Sequence, residues 1–255
     1  MPVHLERRGA ATILTLDRKE ALNALSFAVL EEIDGRFDEV VASDARALIV
    51  TGAGPRAFCA GADIKELRYR GLLAERRGTE RGQQIFARLD SLPIPSIAAI
   101  NGYAFGGGLE LALACTFRLA TRTAKLGFPE IKLGLIPGYG GTQRLPRIVG
   151  EARALEIIMT GRTVDAEEAA QIGLVSKLIE GDPVDAALAF AAQFTGYGLP
   201  ALGFARAAVQ RARAVSLTEG LQIEADLSTL AFRTADAEEG MAAFIEKRPA
   251  RFSDA

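Results

Sequence analysis

Up to about residue 180, short apolar runs of strand length alternate with segments of helical periodicity, and beyond about Val184 the strand-like runs stop. That order points to an α/β sheet layer whose strands are linked through helices, followed by a helical region. Val3–Leu5 and Ala11–Leu16 flank Arg8-Gly9 and read as a hairpin. Ser26 stands where it can cap a helix whose apolar residues Phe27, Leu30, Ile33, Phe37 and Val40 recur every three or four positions. The runs RALIVTG, PSIAAING, TFRLAT, KLGF and LVSKLI are further short strands. Asp165 with Glu168 forms a capping box before AEEAAQIG, and Gly173 ends that helix. In the helical region Ser216 and Asp236 are the candidate caps. The basic, glycine-punctuated segment RYRGLLAERRGTER, from Arg68 to Arg81, reads as a solvated loop or helix edge, or as a mobile lid beside an anionic ligand.

Glycines gather in GAGPRAFCAGAD, NGYAFGGGLE, GFPEIKLGLIPGYGG and GGTQRLPRIVG. Where such a cluster leads into a helix, the free N–H groups of the helix start can hold an anion or an oxygen that gains charge during a reaction. A dinucleotide fingerprint does not fit, because Gly52-Ala53-Gly54 runs into Pro55 with no third glycine at the needed place, and no P-loop occurs. Glu110 is a lone charge in the apolar helix that follows Gly106-Gly107-Gly108. A buried carboxylate needs a partner. One reading gives it a structural hydrogen bond or a nearby arginine such as Arg118. The other pairs it with Glu130, which leaves a strand at Phe128-Pro129 and is otherwise a solvated loop residue. Two carboxylates on one cavity hold their protons more tightly and can work as an acid–base pair.

Other chemistry is limited by what the chain lacks. Cys59 and Cys115 fit no metal spacing and read as small buried hydrophobes. The one histidine, His4, leaves neither a Ser–His triad nor a histidine metal site, so no metal is expected and proton transfer falls to carboxylates, Lys, Tyr or backbone dipoles. The net charge of -2 and the absence of basic–aromatic interleaving speak against nucleic acid as a partner. No run approaches the ~20 apolar residues of a membrane span, and MPVHLERRGAATILTLD lacks a signal core, so a cytoplasmic protein is expected.

Four ordered blocks, AFCAGADIKEL, NGYAFGGGLELALAC, GFPEIKLGLIPGYGGTQRLPRIVG and MTGRTVDAEEAAQIGLVSKLI, together with the C-terminal LTEGLQIEADLSTLAFRTADAEEGMAAFIEKRPARF, resemble the crotonase family, and within it the enoyl-CoA hydratases. The resemblance covers almost the whole chain. It implies a spiral of repeated ββα units over residues 1–190 and a helical trimerisation region over 191–255, assembled as a homotrimer or a homohexamer. It implies an acyl-CoA substrate, with coenzyme A entering as part of that substrate and no permanently bound cofactor. The implied reaction is addition of water across the 2,3 double bond of a 2-enoyl-CoA. The alternatives are an isomerase, or a hydratase-lyase acting on branched or aromatic acyl-CoA.

By motif matching, the thioester oxygen falls to the backbone amides of Ala62 and Gly107, and the catalytic glutamates are Glu110, as base on the water, and Glu130, as proton donor to C2. Coenzyme A is placed along Ala21, Leu22, Ala60, Asp63, Ile64 and Lys65. Phe244 and Lys247 close over the nucleotide, from a neighbouring subunit in one arrangement. Leu67 and Tyr139 belong to the acyl pocket. Glu20 stands where many family members carry a basic residue, and Tyr139 is bulkier than the Gly or Ala that some of them have.

Overall fold

The protein is described by a computed structural model that covers residues 1–255. Two strands, β1 (Val3–Arg8) and β2 (Ala11–Leu16), form an antiparallel hairpin around Gly9. The helix α1 (Phe27–Val41) follows, and the Ser26 side chain accepts from the Val29 amide as expected of its cap. Then come β3 (Ala47–Gly52), β4 (Ala57–Cys59), the short α2 (Ile64–Leu67) and the long α3 (Leu72–Ser91). The next unit is β5 (Ser96–Ile100), β6 (Tyr103–Phe105) and α4 (Gly107–Ala114), and the one after is β7 (Phe117–Thr121), β8 (Lys125–Gly127), α5 (Gly141–Val149) and α6 (Glu151–Thr160). The strand-bearing part closes with β9 (Thr163–Asp165), α7 (Ala166–Gln171), β10 (Lys177–Ile179) and α8 (Pro183–Ala191), and the chain ends in α9 (Leu199–Arg211), α10 (Leu217–Ala231) and α11 (Ala235–Glu246).

After the β1–β2 hairpin, which lies wholly in the larger sheet, each successive strand pair gives one strand to each of two sheets. The larger sheet has the order β1-β2-β3-β5-β7-β10 and the smaller β4-β6-β8-β9. The crossovers from β3 to β5 and from β5 to β7 run parallel and in register, with Ile49 beside Ile97 and Ile97 beside Phe117. This is the repeated ββα layout with a helical C-terminal region that the sequence implies. Strands covered on both faces need unbroken apolar runs rather than alternation, and every residue of β3 is buried. Ile13, Ile49 and Ile97 face α8 through Ala187 and Ala191, while Leu14, Leu48, Val50 and Ile100 join the main core. No helix is long and apolar enough to cross a membrane.

Three local expectations are sharpened or corrected. Of the readings for 68–81, the loop is confined to 68–71 and the helix edge holds from Leu72 on, where α3 runs unbroken. Its interior glycines, Gly78 and Gly82, lower helix propensity by about 1 kcal/mol each relative to alanine, which blurs the periodic signal. A Cβ on Gly78 would meet the Phe27 ring at 2.7 Å, so there the glycine serves packing. The basic side chains clip α3 to α1: Arg81 pairs with Glu31 at 2.6 Å and also with Asp34, and Arg88 reaches Asp34 and Asp38. Second, the box at α7 is one-sided. Asp165 accepts from the Glu168 amide at 2.9 Å, but the Glu168 carboxylate is held by Arg162 instead. Third, Ser216 caps α10, but α11 is capped by Thr234 and not Asp236.

Asp236, 4% exposed, instead binds the C-terminal tail, accepting from the amides of Ser253 at 2.6 Å and Asp254 at 3.0 Å. Asp254 in turn accepts from the Leu199 amide at 2.8 Å and pairs with Arg46 just before β3, so the tail ties α9 and α11 to the sheet layer. Asp236→Ala strands those two tail amides. It is expected to lower unfolding free energy by about 1–3 kcal/mol in thermal melts and to make residues 252–255 the first site of proteolysis.

Candidate active site

The strand β6 ends at Phe105, Gly106 follows with a φ of 51° and ψ of −126° that suit glycine, and α4 starts at the next residue. The first helical bond runs from the Glu110 amide to the Gly106 carbonyl at 3.0 Å, so the Gly107 amide precedes the helix ladder and takes no bond from it. A Cβ on Gly108 would stand 2.1 Å from the Cys59 carbonyl, so this glycine lets α4 lie against the end of β4. β4 continues into Ala60-Gly61-Ala62. Leu25 bridges this segment in parallel, donating to the Gly61 carbonyl and accepting from the Asp63 amide, each at 2.8 Å. In such a bridge the amide of the middle residue, Ala62, faces the opposite side. The two chain ends lie together, since a Cβ on Gly61 would be 3.7 Å from the Gly107 nitrogen. Ala62 and Gly107 both line one cavity of about 290 Å³.

Glu110 and Glu130 line that same cavity. Glu110 is 1% exposed, and its Oε1 accepts from the amides of Tyr139 and Gly141, each at 2.7 Å. Burial, with the Glu130 charge adding, pushes its pKa up to about 7 against the pull of those two amides and of Arg144. Arg118 is no partner: it donates to the carbonyls of Leu174 and Cys115. Glu130 sits in a single 3₁₀ turn, Pro129–Leu133, directly after β8, with its Oε1 2.8 Å from where a Gly106 Cβ would be. Its Oε2 is buried with no hydrogen-bond partner, and burial pushes this pKa up to about 7 as well. Near neutral pH each carboxyl is then part protonated and part ionised, so one can act as base while the other acts as acid. Two amides beside them can stabilise an oxygen that gains negative charge.

Of the residues singled out in the sequence, Ala60, Ala62, Ile64, Leu67, Gly107, Glu110, Glu130 and Tyr139 meet at this cavity. Leu22 lines a second, smaller recess with Lys19 and Arg56, and the Ala60 amide bonds the Leu22 carbonyl at 3.0 Å, which joins the two walls. Ala21 ends the 3₁₀ turn before Leu22. The Asp63 carboxylate is engaged by Arg18 at 3.2 Å and caps α2 through the Lys65 amide, and the Lys65 side chain is exposed. Phe244 and Lys247, at the end of α11, are exposed and do not reach the cavity within one chain. Both cysteines are buried and free, with thiol pKa values pushed up to about 12 by burial. Sequence reasoning missed Gly141 as a donor to Glu110, although PGYGG stood out as a glycine cluster. It also missed Thr79 and Glu75, which line the cavity from α3.

Comparison with known proteins gives a consistent picture. The family described as Enoyl-CoA hydratase/isomerase matches residues 6–255. A Rhizobium meliloti protein named "Probable enoyl-CoA hydratase" is 44% identical over 253 residues, 97% of this chain and 96% of the relative. The "Short-chain-enoyl-CoA hydratase" of Clostridium acetobutylicum is 39% identical over 248 residues, 96% of this chain and 95% of the relative. Among solved structures, an enoyl-CoA hydratase from Bacillus anthracis superposes with a TM-score of 0.95 at 38% identity, covering 100% of each chain.

The raised carboxylates carry a stability cost with a defined sign. A folded-state pKa above the ordinary 4.5 means that the folded protein holds protons the unfolded chain releases, so stability falls as pH rises from about 4.5 to about 7. Glu110→Gln keeps an acceptor oxygen for the two amides and removes the charge. At pH 8 it is expected to unfold at higher temperature than the parent, by about 1–3 kcal/mol in stability, with the gap closing toward pH 4.5.

Proposed function

This chain belongs to the enoyl-CoA hydratase/isomerase family, and from that premise we propose that it is a hydratase acting on 2-enoyl-CoA thioesters. The observation that carries the reading is the joint placement of Glu110, Glu130, Ala62 and Gly107 on one cavity. The thioester carbonyl oxygen is held by those two amides. As Glu110 takes a proton from water, the resulting oxygen nucleophile forms a bond to C3, and the electrons of the double bond move onto the carbonyl oxygen. Glu130 then delivers its proton to C2, and the product is the 3-hydroxyacyl-CoA. One hydrogen of the water ends on the new hydroxyl and the other on Glu110, while C2 carries the proton from Glu130, and proton exchange with solvent returns Glu110 to the carboxylate and Glu130 to the acid before the next turnover. A double-bond isomerase needs one group to carry a proton from C4 to C2, and a second buried carboxylate has no task there. Retention of both, despite their cost in stability, supports hydration.

The coenzyme A portion is assigned to the edge formed by Ala21, Leu22, Ala60, Asp63, Ile64 and Lys65, with Phe244 and Lys247 contributing from a neighbouring subunit. A homotrimer, or a dimer of trimers, accords with the unpaired apolar residues of the C-terminal helices: Leu217, Phe232 and Ile245 are 80%, 67% and 77% exposed, and neither α9 nor α10 has a buried residue.

The test is loss of crotonyl-CoA absorbance on adding protein. Glu110→Gln and Glu130→Gln are each expected to lower kcat by about 10²–10⁴ with a smaller change in KM. Parent-like rates in both variants would overturn the assignment. Turnover needs one carboxylate ionised and the other protonated, so kcat/KM should fall on both sides of a maximum near pH 7, where ordinary carboxylates would place the acid limb near 4.5.

A further inference from the structure

The Tyr139 ring stands between two helices. Its Cδ1–Cε1 edge lies against α3, where a Cβ on Gly82 would be 2.4 Å from Cδ1, and its Cδ2–Cε2 edge lies against the start of α4, where a Cβ on Gly107 would be 3.3 Å from Cδ2. Phe86, one turn further along α3, meets the ring edge-on, with centroids 5.6 Å apart at 82°. The ring is thus seated on a glycine of each helix and is 7% exposed, while its own backbone amide holds Glu110. It closes the cavity beside the reacting groups. In the other direction along the same face of α3, Thr79 and Glu75 also line the cavity, and Glu75 Oε2 lies 3.4 Å from Arg70 Nε. An apolar tail turned aside by the ring toward Thr79 and Glu75 would meet a hydroxyl and an ion pair, which costs free energy in desolvation.

Accepting that this cavity takes acyl-CoA, we infer that Tyr139 is the chain-length stop of the acyl site and confines the protein to short-chain 2-enoyl-CoA substrates. The wall depends on the ring filling the space between Gly82 and Gly107. Without the ring, that space becomes a slot lined by Phe86 and the two glycines, open to a longer tail.

The experiment measures dissociation constants of butyryl-CoA and decanoyl-CoA by calorimetry for the full chain, so its readout needs no turnover. Each methylene buried in an open apolar site tightens binding by about fourfold, and a blocked site gains nothing. The parent is expected to bind decanoyl-CoA no more tightly than butyryl-CoA. Tyr139→Ala and Tyr139→Leu, which open the slot to different extents, are expected to tighten decanoyl-CoA by at least about tenfold while shifting butyryl-CoA less than about threefold. Tyr139→Phe, which keeps the ring, is expected to retain the parent ratio. The inference is overturned if the parent binds decanoyl-CoA at least about tenfold more tightly than butyryl-CoA, or if the ratio is the same in the parent and in whichever ring-deleted variant folds. Hydration of crotonyl-CoA and 2-decenoyl-CoA is assayed alongside. Absence of any hydration with the expected binding ratios would sink the hydratase reading and leave the chain-length stop standing.

Discussion

The site depends on burying one carboxylate. Glu110 is 1% exposed, and no cationic side chain bonds it. An unpartnered ionised carboxylate at that depth would not be tolerated. The amides of Tyr139 and Gly141 meet the need, and in doing so they fix the 139–141 turn over the first turn of α4. That turn seats the Tyr139 ring, starts α5 and closes one wall of the cavity. A Cβ on Gly141 would lie 2.7 Å from the Phe128 ring, so the turn is also pressed onto the residue that leads into Glu130. A single demand for hydrogen bonds thereby couples both carboxylates to one rigid frame.

The same frame explains why the helix start is weak by propensity. Gly106 needs its left-handed backbone and leaves room for the Glu130 carboxylate, and Gly108 lets α4 touch the Cys59 carbonyl. A helix begun with alanine would be intrinsically steadier, but it would stand off β4 and carry the Gly107 amide away from Ala62. The local penalty is offset by the dense packing behind it, where Leu109, Leu111 and Ala112 are fully buried. Stability is lost again in the carboxylates, whose raised pKa values oppose folding at neutral pH.

Much of the fold was legible in the sequence because it rests on short-range signals. The buried strands announced themselves as apolar runs, and the caps at Ser26, Asp165 and Ser216 were found by residue type and position. Where such signals conflict with long-range packing they misled. Gly78 punctuates a segment that also read as a loop, and it is a close-contact point within α3. Asp236 read as a cap, yet its carboxylate serves a tail 17 and 18 positions away. Glu168 had the right spacing for a reciprocal box, but Arg162 offers a bidentate partner that an uncharged backbone amide does not match.

What the sequence determined by itself was the alternation of strands and helices, the helical C-terminal region and, through its ordered motifs, the residues around which a site could form: Ala62, Gly107, Glu110 and Glu130. Glu110 and Glu130 stand out by local pattern and residue type, whereas Ala62 and Gly107 are what the family resemblance implies. Tertiary structure decided which partners those residues have. The donors that hold Glu110 come from 29 and 31 positions further on, and the ring that closes the cavity rests on glycines of two different helices. A glycine or an amide carries no mark of the group that will approach it, so these pairings exist only once distant segments are packed together.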